Sequence, residues 1–267
     1  MAAFDASNTP TTTFGHMQPC ANCGHPHAHP YCPECGQQRV APGIRLREVV
    51  GDLIAGLYNV DAPILFTLRS FFTGPGRLTR SYLAGKRKAY TPPVRLFLMG
   101  VGFYYLMRWV LGWDPVDAAV LATGHTEVPQ TPAMQVNHWM SRNVNLLLPL
   151  FMVMLAAADR LLFPRTTLNW TERLVHYLFA VGTYLITATL LIPLYQVWPR
   201  LHVLGMVVIF GILIAAAIGL HHRSVWNTVK AVAMVPLTFL LYVLVCTVLV
   251  ALLLGVPLAA VFVRSGG

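Results

Sequence analysis

Five stretches of this chain, roughly residues 94–112, 144–162, 174–197, 202–220 and 231–255, are apolar over the 18 or so residues needed to cross a hydrocarbon layer about 30 Å thick. No other feature limits the fold as strongly. The composition agrees, with 56% hydrophobic and only 11% charged residues, so the expected fold class is an all-α integral membrane protein of about five transmembrane helices. The first stretch carries Arg108 beside Trp109 and Trp113, which lets the guanidinium snorkel while the indoles sit at the interface. The second opens with Asn143 and Asn145 and closes with Asp159-Arg160, so its apolar part is short. After Gly255-Val256-Pro257 the last run continues to Val263, and it either extends the span or folds back as a hairpin.

Lysine and arginine set the orientation, because loops rich in them stay cytoplasmic. With the N-terminus inside, the cytoplasmic segments hold ten between Arg39 and Arg95, three from Arg160 to Arg173, and two at Arg223 and Lys230; Arg108, Arg142, Arg200 and Arg264 fall on the other side. The bias puts the N-terminus in the cytoplasm and the C-terminus outside. Segment 113–141, with Asp114, Asp117 and Glu127 among several prolines, is then the one sizeable outer loop. The net charge of +9 is concentrated beside the membrane, where anionic lipids are the nearest partner, and no nucleic-acid partner is expected.

Ahead of the spans, Cys20-Ala21-Asn22-Cys23-Gly24 and Cys32-Pro33-Glu34-Cys35-Gly36 form two Cys-x2-Cys half-sites. The glycine after each second cysteine lets a tight turn aim amides at the thiolates. Four thiolates at this spacing suit one tetrahedral zinc ion in a structural role. The segment is too small for an apolar core of its own, so metal is expected to order it. The alternatives are two disulfides or a redox dithiol pair, and the absence of a basic and apolar leader at the start favours a reducing cytosol. His25, His27 and His29 lie between the halves, where a solvated loop is favoured over a second ligand set. The chain therefore divides into a disordered tail 1–17, a zinc ribbon 18–40, an interfacial segment 44–93 and a helical bundle 94–263.

The interfacial segment has two amphipathic patterns. In 47–58, Val49, Val50, Leu53, Ile54 and Leu57 share one helical face opposite Glu48 and Asp52; in 64–72, Ile64, Leu65, Leu68, Phe71 and Phe72 lie opposite Arg69 and Ser70. Such helices lie in the headgroup layer or pack on the bundle. After Gly74-Pro75-Gly76 the chain runs into the first span with six basic residues and no acid: Arg77, Arg80, Lys86, Arg87, Lys88 and Arg95. With Tyr82, Tyr90 and the rigid Pro92-Pro93 between them, they form a candidate platform for anionic lipid headgroups or phosphate, against the simpler reading of a positive-inside stop.

The motif Tyr31-Cys32-Pro33-Glu34-Cys35-Gly36-Gln37, followed by Thr67-Leu68, Pro75-Gly76, Tyr82, Gly85, Arg87, Tyr90 and Pro92-Pro93, resembles the bacterial membrane proteins grouped as domain of unknown function 3667. The resemblance covers about residues 18–105 and implies a multi-pass protein of the bacterial inner membrane. It implies no activity. Relatives tend to show Glu-His at the start of the third span, whereas here Glu172 precedes Arg173 and the nearest histidine is His176.

Within the spans, His176, Thr183 and Thr187 share one face of the third helix and are the intramembrane polar candidates, with His176 placed to meet Arg95 or Glu172. Gly211, Ala215 and Gly219 at small-xxx-small spacing favour close helix packing. His221-His222-Arg223 reads as an interfacial turn and Cys246 as a buried apolar side chain. No Ser-His-Asp or paired-carboxylate arrangement assembles, so no catalytic residue is assigned. The leading expectation is a non-enzymatic membrane adaptor or assembly factor whose ribbon docks a cytosolic protein; the alternatives are a lipid-handling or transport protein and an enzyme acting on a lipid phosphate.

Overall fold

The computed structural model describes residues 17–39, 64–115, 131–221 and 224–262. The amphipathic pattern 47–58, the tail 1–16, His222 and Arg223 lie outside them. A two-stranded ribbon comes first, with β1 (Gln18–Pro19) antiparallel to β2 (Pro26–His27). Among the described residues eight α-helices follow: α1 (Ile64–Thr73), α2 (Pro75–Leu83), α3 (Pro93–Leu111), α4 (Pro132–Leu162), α5 (Trp170–Val197), α6 (Val203–Leu220), α7 (Val225–Leu253) and α8 (Leu258–Phe262), with a 3-10 turn at Pro199–His202 between α5 and α6.

Four of these, α3, α4, α5 and α7, are long and apolar enough to cross a membrane, which makes the chain a multi-pass helical protein. The fourth apolar stretch forms the shorter α6, 18 residues and so about 27 Å long. It adds a fifth pass through the bundle: Gly205 near its start lies beside Tyr195 at the end of α5, while His221 just past its end reaches Asp159 at the end of α4. The core is centred on α5, whose Val175, Tyr177, Phe179, Ala180 and Val181 are fully buried. Its closest neighbour is α3. The two meet at paired glycines, where a Cβ on Gly100 would come within 2.8 Å of Leu185 Cβ and one on Gly182 within 3.0 Å of Phe97 N.

Three expectations need correction. Helix α4 begins at Pro132, so the last ten residues of the expected outer loop are helical, and Thr131 caps them by accepting from Met134 N–H. A kink at Asn143, whose side chain donates to Trp139 O at 2.9 Å in competition with the backbone ladder, separates this extension from the apolar part. Second, a further helix follows the two amphipathic patterns, because Pro75 starts α2, which buries Leu78, Thr79, Tyr82 and Leu83 and exposes Arg77 and Arg80. Third, the small-residue stripe of α6 does not pack on another spanning helix. Gly211 and Ala215 are exposed, and only Gly219 makes a close approach, to Pro75 and Gly76 of α2. The chain after α7 turns at Gly255, where φ is +67°, and Val256 and Val261 pack against Val136, Val250 and Ala251, so this segment folds back at the bundle end without crossing again.

The contact between α2 and α6 leaves no room for a side chain. A Cβ on Gly76 would sit 1.8 Å from Gly219 O, whereas one on Gly211 meets nothing within 4 Å. Gly76→Ala is therefore expected to lower the thermal unfolding temperature of the detergent-purified protein, at a cost of about 3 kcal/mol or more from forced separation of the helices. Gly211→Ala should be neutral or slightly stabilising.

Candidate functional site

The two half-sites fold as near-identical turns. Cys20 N–H donates to His25 O at 2.9 Å and Gly24 N–H to Cys20 O at 2.9 Å; Cys32 N–H donates to Gln37 O at 2.9 Å and Gly36 N–H to Cys32 O at 2.8 Å. Gly24 and Gly36 both take positive φ, +79° and +69°, the conformation these turns require. All four cysteines are free thiols. Their Sγ atoms lie within 4.8 Å of one another, with Cys20–Cys35 and Cys23–Cys32 each at 3.6 Å. A metal–sulfur bond of about 2.3 Å in a tetrahedron sets sulfur–sulfur edges near 3.8 Å, so the tetrad fits a metal ion and not a disulfide.

The histidines stand apart from the tetrad. His27 is buried with Nδ1 2.9 Å from His29 O, and its own carbonyl accepts from Arg39, while His25 and His29 are exposed. Although burial pulls the Cys35 thiol up, hydrogen bonds from the Gln37 amide, Asn22 and the other thiols hold it down at about 6. At Cys23 the hydrogen bond from the His25 amide pulls down, but desolvation and proton sharing with the other thiols carry it up to about 12. A metal bound by the tetrad would displace the thiol protons.

The ribbon is seated on the membrane domain through the turn after α2. Lys88 N–H donates to Gln37 Oε1 at 2.7 Å, and Lys88 Nζ lies beside Gly36, 3.8 Å from where its Cβ would stand. At the other knuckle Gly85, with φ +99°, approaches Ala21 so closely that a Cβ would be 3.2 Å from the alanine methyl. Thr91 N–H donates to Thr67 Oγ1 at 2.9 Å and Tyr90 stacks on Phe66 at 5.5 Å, fixing the turn to α1.

The candidate platform residues divide among different surroundings. Tyr82 and Tyr90 are buried, with Tyr82 edge-on to Phe179, and the Arg87 guanidinium lies 5.8 Å over the Tyr82 ring. Lys86 is half-buried in the seat turn and Lys88 borders the ribbon; Arg95 lies on the first turn of α3. Arg77 and Arg80 come together with α6: Arg80 donates to Leu220 O at 3.1 Å and Gly219 O at 3.3 Å, and Arg77 to Thr73 O at 2.7 Å. Of the intramembrane candidates, His176 meets neither Arg95 nor Glu172. Its Nδ1 is 2.7 Å from Thr79 Oγ1, and Glu172 is engaged by Asn169 in a capping box. Thr187 donates to Thr183 O at 2.8 Å, and Thr183 Oγ1 is buried without a hydrogen-bond partner among the described residues.

A buried polar cluster at the same end of the bundle escapes the linear pattern. Asp159, fully buried in the last turn of α4, accepts from Arg173 of α5, from Tyr177 OH at 3.0 Å and from His221 Nε2 at 2.7 Å. Arg173, only 1% exposed, also donates to Phe163 O at 3.1 Å, to Thr166 and to Leu168 O at 3.3 Å, so it pins the whole connection between the helices. His221 stacks on Phe163 with ring centroids 3.7 Å apart. The available signal was positional: Asp159, Arg173 and His221 each lie where an apolar run ends on the same side.

Residues 61–105 match the model of a family described as protein of unknown function (DUF3667). That span holds α1, α2, the ribbon's seat and most of α3. No curated protein and no solved structure is significantly similar to the chain.

Removing one partner of a buried ion pair leaves an uncompensated charge. Arg173→Leu should therefore cost about 3–5 kcal/mol in detergent unfolding. Because Asp159→Leu removes the charge that Arg173→Leu strands, the double variant should lose at least about 2 kcal/mol less than the sum of the singles.

Proposed function

We propose that the chain is a non-enzymatic membrane adaptor of the bacterial inner membrane, whose zinc-bound ribbon is presented to cytosolic proteins from a fixed seat on the membrane domain. The observation that carries this reading is the cysteine tetrad held against the Gly85–Lys88 turn. Four thiolates fill a tetrahedral shell and leave no position for water or substrate, the arrangement of a structural and not a catalytic zinc. Thiolate is a soft ligand, which favours zinc over calcium or magnesium.

A zinc ion with four thiolates carries a net charge of −2, and the Lys88 ammonium beside Gly36 offsets part of it. With the seat contacts facing the bundle, the exposed Met17, Tyr31, His25 and His29 remain for a partner. Orientation follows from charge. On the ribbon's side of the bundle the described residues include Arg69, Arg77, Arg80, Lys86, Arg87, Lys88, Arg95, Arg160, Arg165, Arg173 and Lys230, against Arg108, Arg142 and Arg200 at the opposite end, so the ribbon is cytoplasmic.

Purified protein is expected to contain about one zinc per chain by elemental analysis. Cys32→Ser should lower that content and expose the ribbon to limited proteolysis while the spans stay inserted. Lys88→Glu should leave zinc content unchanged but loosen the ribbon, seen as faster cleavage between 39 and 64. Full zinc in a Cys20/Cys23/Cys32/Cys35 quadruple serine variant defeats the assignment. For orientation, a reporter fused before Met1 should register as cytoplasmic and one after Gly267 as external; a cytoplasmic signal from the latter rejects the five-pass arrangement.

A further inference from the structure

Between α2 and the end of α6 lies an open groove of about 1000 Å³ whose two halves differ in chemistry. One half is polar, with the cations Arg77 and Arg80 beside His221; the other is apolar, formed by Phe72, Ala215 and Ile218. Each guanidinium has five N–H donors. Arg80 commits two nitrogens to the carbonyls of Leu220 and Gly219, and Arg77 one to Thr73 O, which leaves N–H groups on both to meet an anion. None of the described residues lining the groove is acidic.

His221 supplies an independent sign of a ligand. It is 5% exposed and lines the groove, its Nε2 is occupied by Asp159, and its Nδ1 is buried without a hydrogen-bond partner among the described residues. A carboxylate only accepts, so Nε2 carries a proton. Nδ1 is thus the atom left to accept from a ligand hydroxyl or, once protonated, to donate to a ligand oxygen. The Gly74-Pro75-Gly76 start of α2 borders the same space and directs its positive dipole end there.

We infer that this groove binds a phosphate group through Arg77, Arg80 and His221, with the ligand's apolar portion lying along α6. Ala215 is six residues before His221, about 9 Å deeper along a helix that runs through the bundle. A headgroup phosphate at the arginines would therefore leave its acyl chains against Phe72, Ala215 and Ile218. A planar guanidinium pair matches phosphate oxygens in a way that scattered surface charge does not. Nothing in this inference depends on the metal or on the ribbon.

The test is native mass spectrometry of the full chain in mild detergent, with phosphatidic acid as the probe and phosphatidylcholine and inorganic phosphate as comparisons. Arg77→Gln/Arg80→Gln should reduce phosphatidic acid retention about tenfold or more, whereas Arg160→Gln/Arg165→Gln, which removes the same charge from exposed positions on that face, should change it less than about twofold. Because Arg80 also ties α2 to α6, the single Arg77→Gln is decisive on its own: among the described residues its side chain hydrogen-bonds only to Thr73 O, four residues earlier at the end of α1 and not to α6, and it should still lose about threefold. Displacement of phosphatidic acid by millimolar inorganic phosphate identifies the free anion as a competent ligand. Resistance to it identifies the lipid, and both results keep the phosphate site. Equal loss in the two double variants, or unchanged retention in Arg77→Gln, overturns the inference.

Discussion

The carboxylate of Asp159 is the interaction on which the ribbon-facing half of the molecule depends. An ionised group in the last turn of an apolar helix persists only if donors surround it, and here they come from two other elements: Arg173 and Tyr177 from α5, and His221 from the end of α6. Because Arg173 spends its remaining N–H groups on Phe163, Thr166 and Leu168, the loop between α4 and α5 is held by the same residue. One charge therefore sets the relative height of three helices. The height of α6 in turn puts the Gly219 carbonyl against Gly76 and Leu220 O against Arg80, so the position of α2 is a consequence of the buried pair.

What was legible in the sequence was whatever a single physical requirement imposes on consecutive residues. Hydrocarbon thickness imposes run length, and four of the five runs became long spanning helices with the fifth a shorter pass beside them. Tetrahedral thiolate coordination imposes the Cys-x2-Cys-Gly spacing, and the four sulfurs converge. Features made by separated segments were not legible. Asp159, Arg173 and His221 are each unremarkable at the end of an apolar run, and nothing in their local pattern says that they meet. Helix α2 was missed for another reason: its Gly-Pro-Gly start and its charged residues imitate a linker, while the face that buries Leu78, Thr79, Tyr82 and Leu83 spans only nine residues. The α6 glycines carried a packing signal that named no partner and held only at Gly219, since spacing reports small residues and not which element approaches them.

The basic segment shows how one compositional feature separates into different physical roles once folded. Its aromatic residues lie inside, where Tyr82 meets Phe179 and Tyr90 stacks on Phe66, so they shape the seat as apolar supports. Its cations diverge around that support. Lys88 faces the ribbon, Arg87 covers Tyr82, and Arg77 and Arg80 lie a full turn or more earlier on the exposed side of α2, against α6. These cations face different surfaces. The ribbon contact and the groove can thus vary separately even though they share one stretch of chain.

That separation has a mechanical counterpart. The ribbon is joined to α2 through the rigid turn 84–92, whose ends are fixed by Thr91 N–H on Thr67 and by the Gly85 approach to Ala21. Helix α2 is fixed to the bundle by different contacts, Thr79 with His176 and Gly76 with Gly219. The turn continues backward into α2 and forward into α3, and both helices pack on α5. The Gly76–Gly219 contact has no space for even a methyl group, so α2 lies directly on the backbone of α6. Inside this one short helix Thr79 and Gly76 hold it to the bundle, while on its surface Arg77 and Arg80 line the groove.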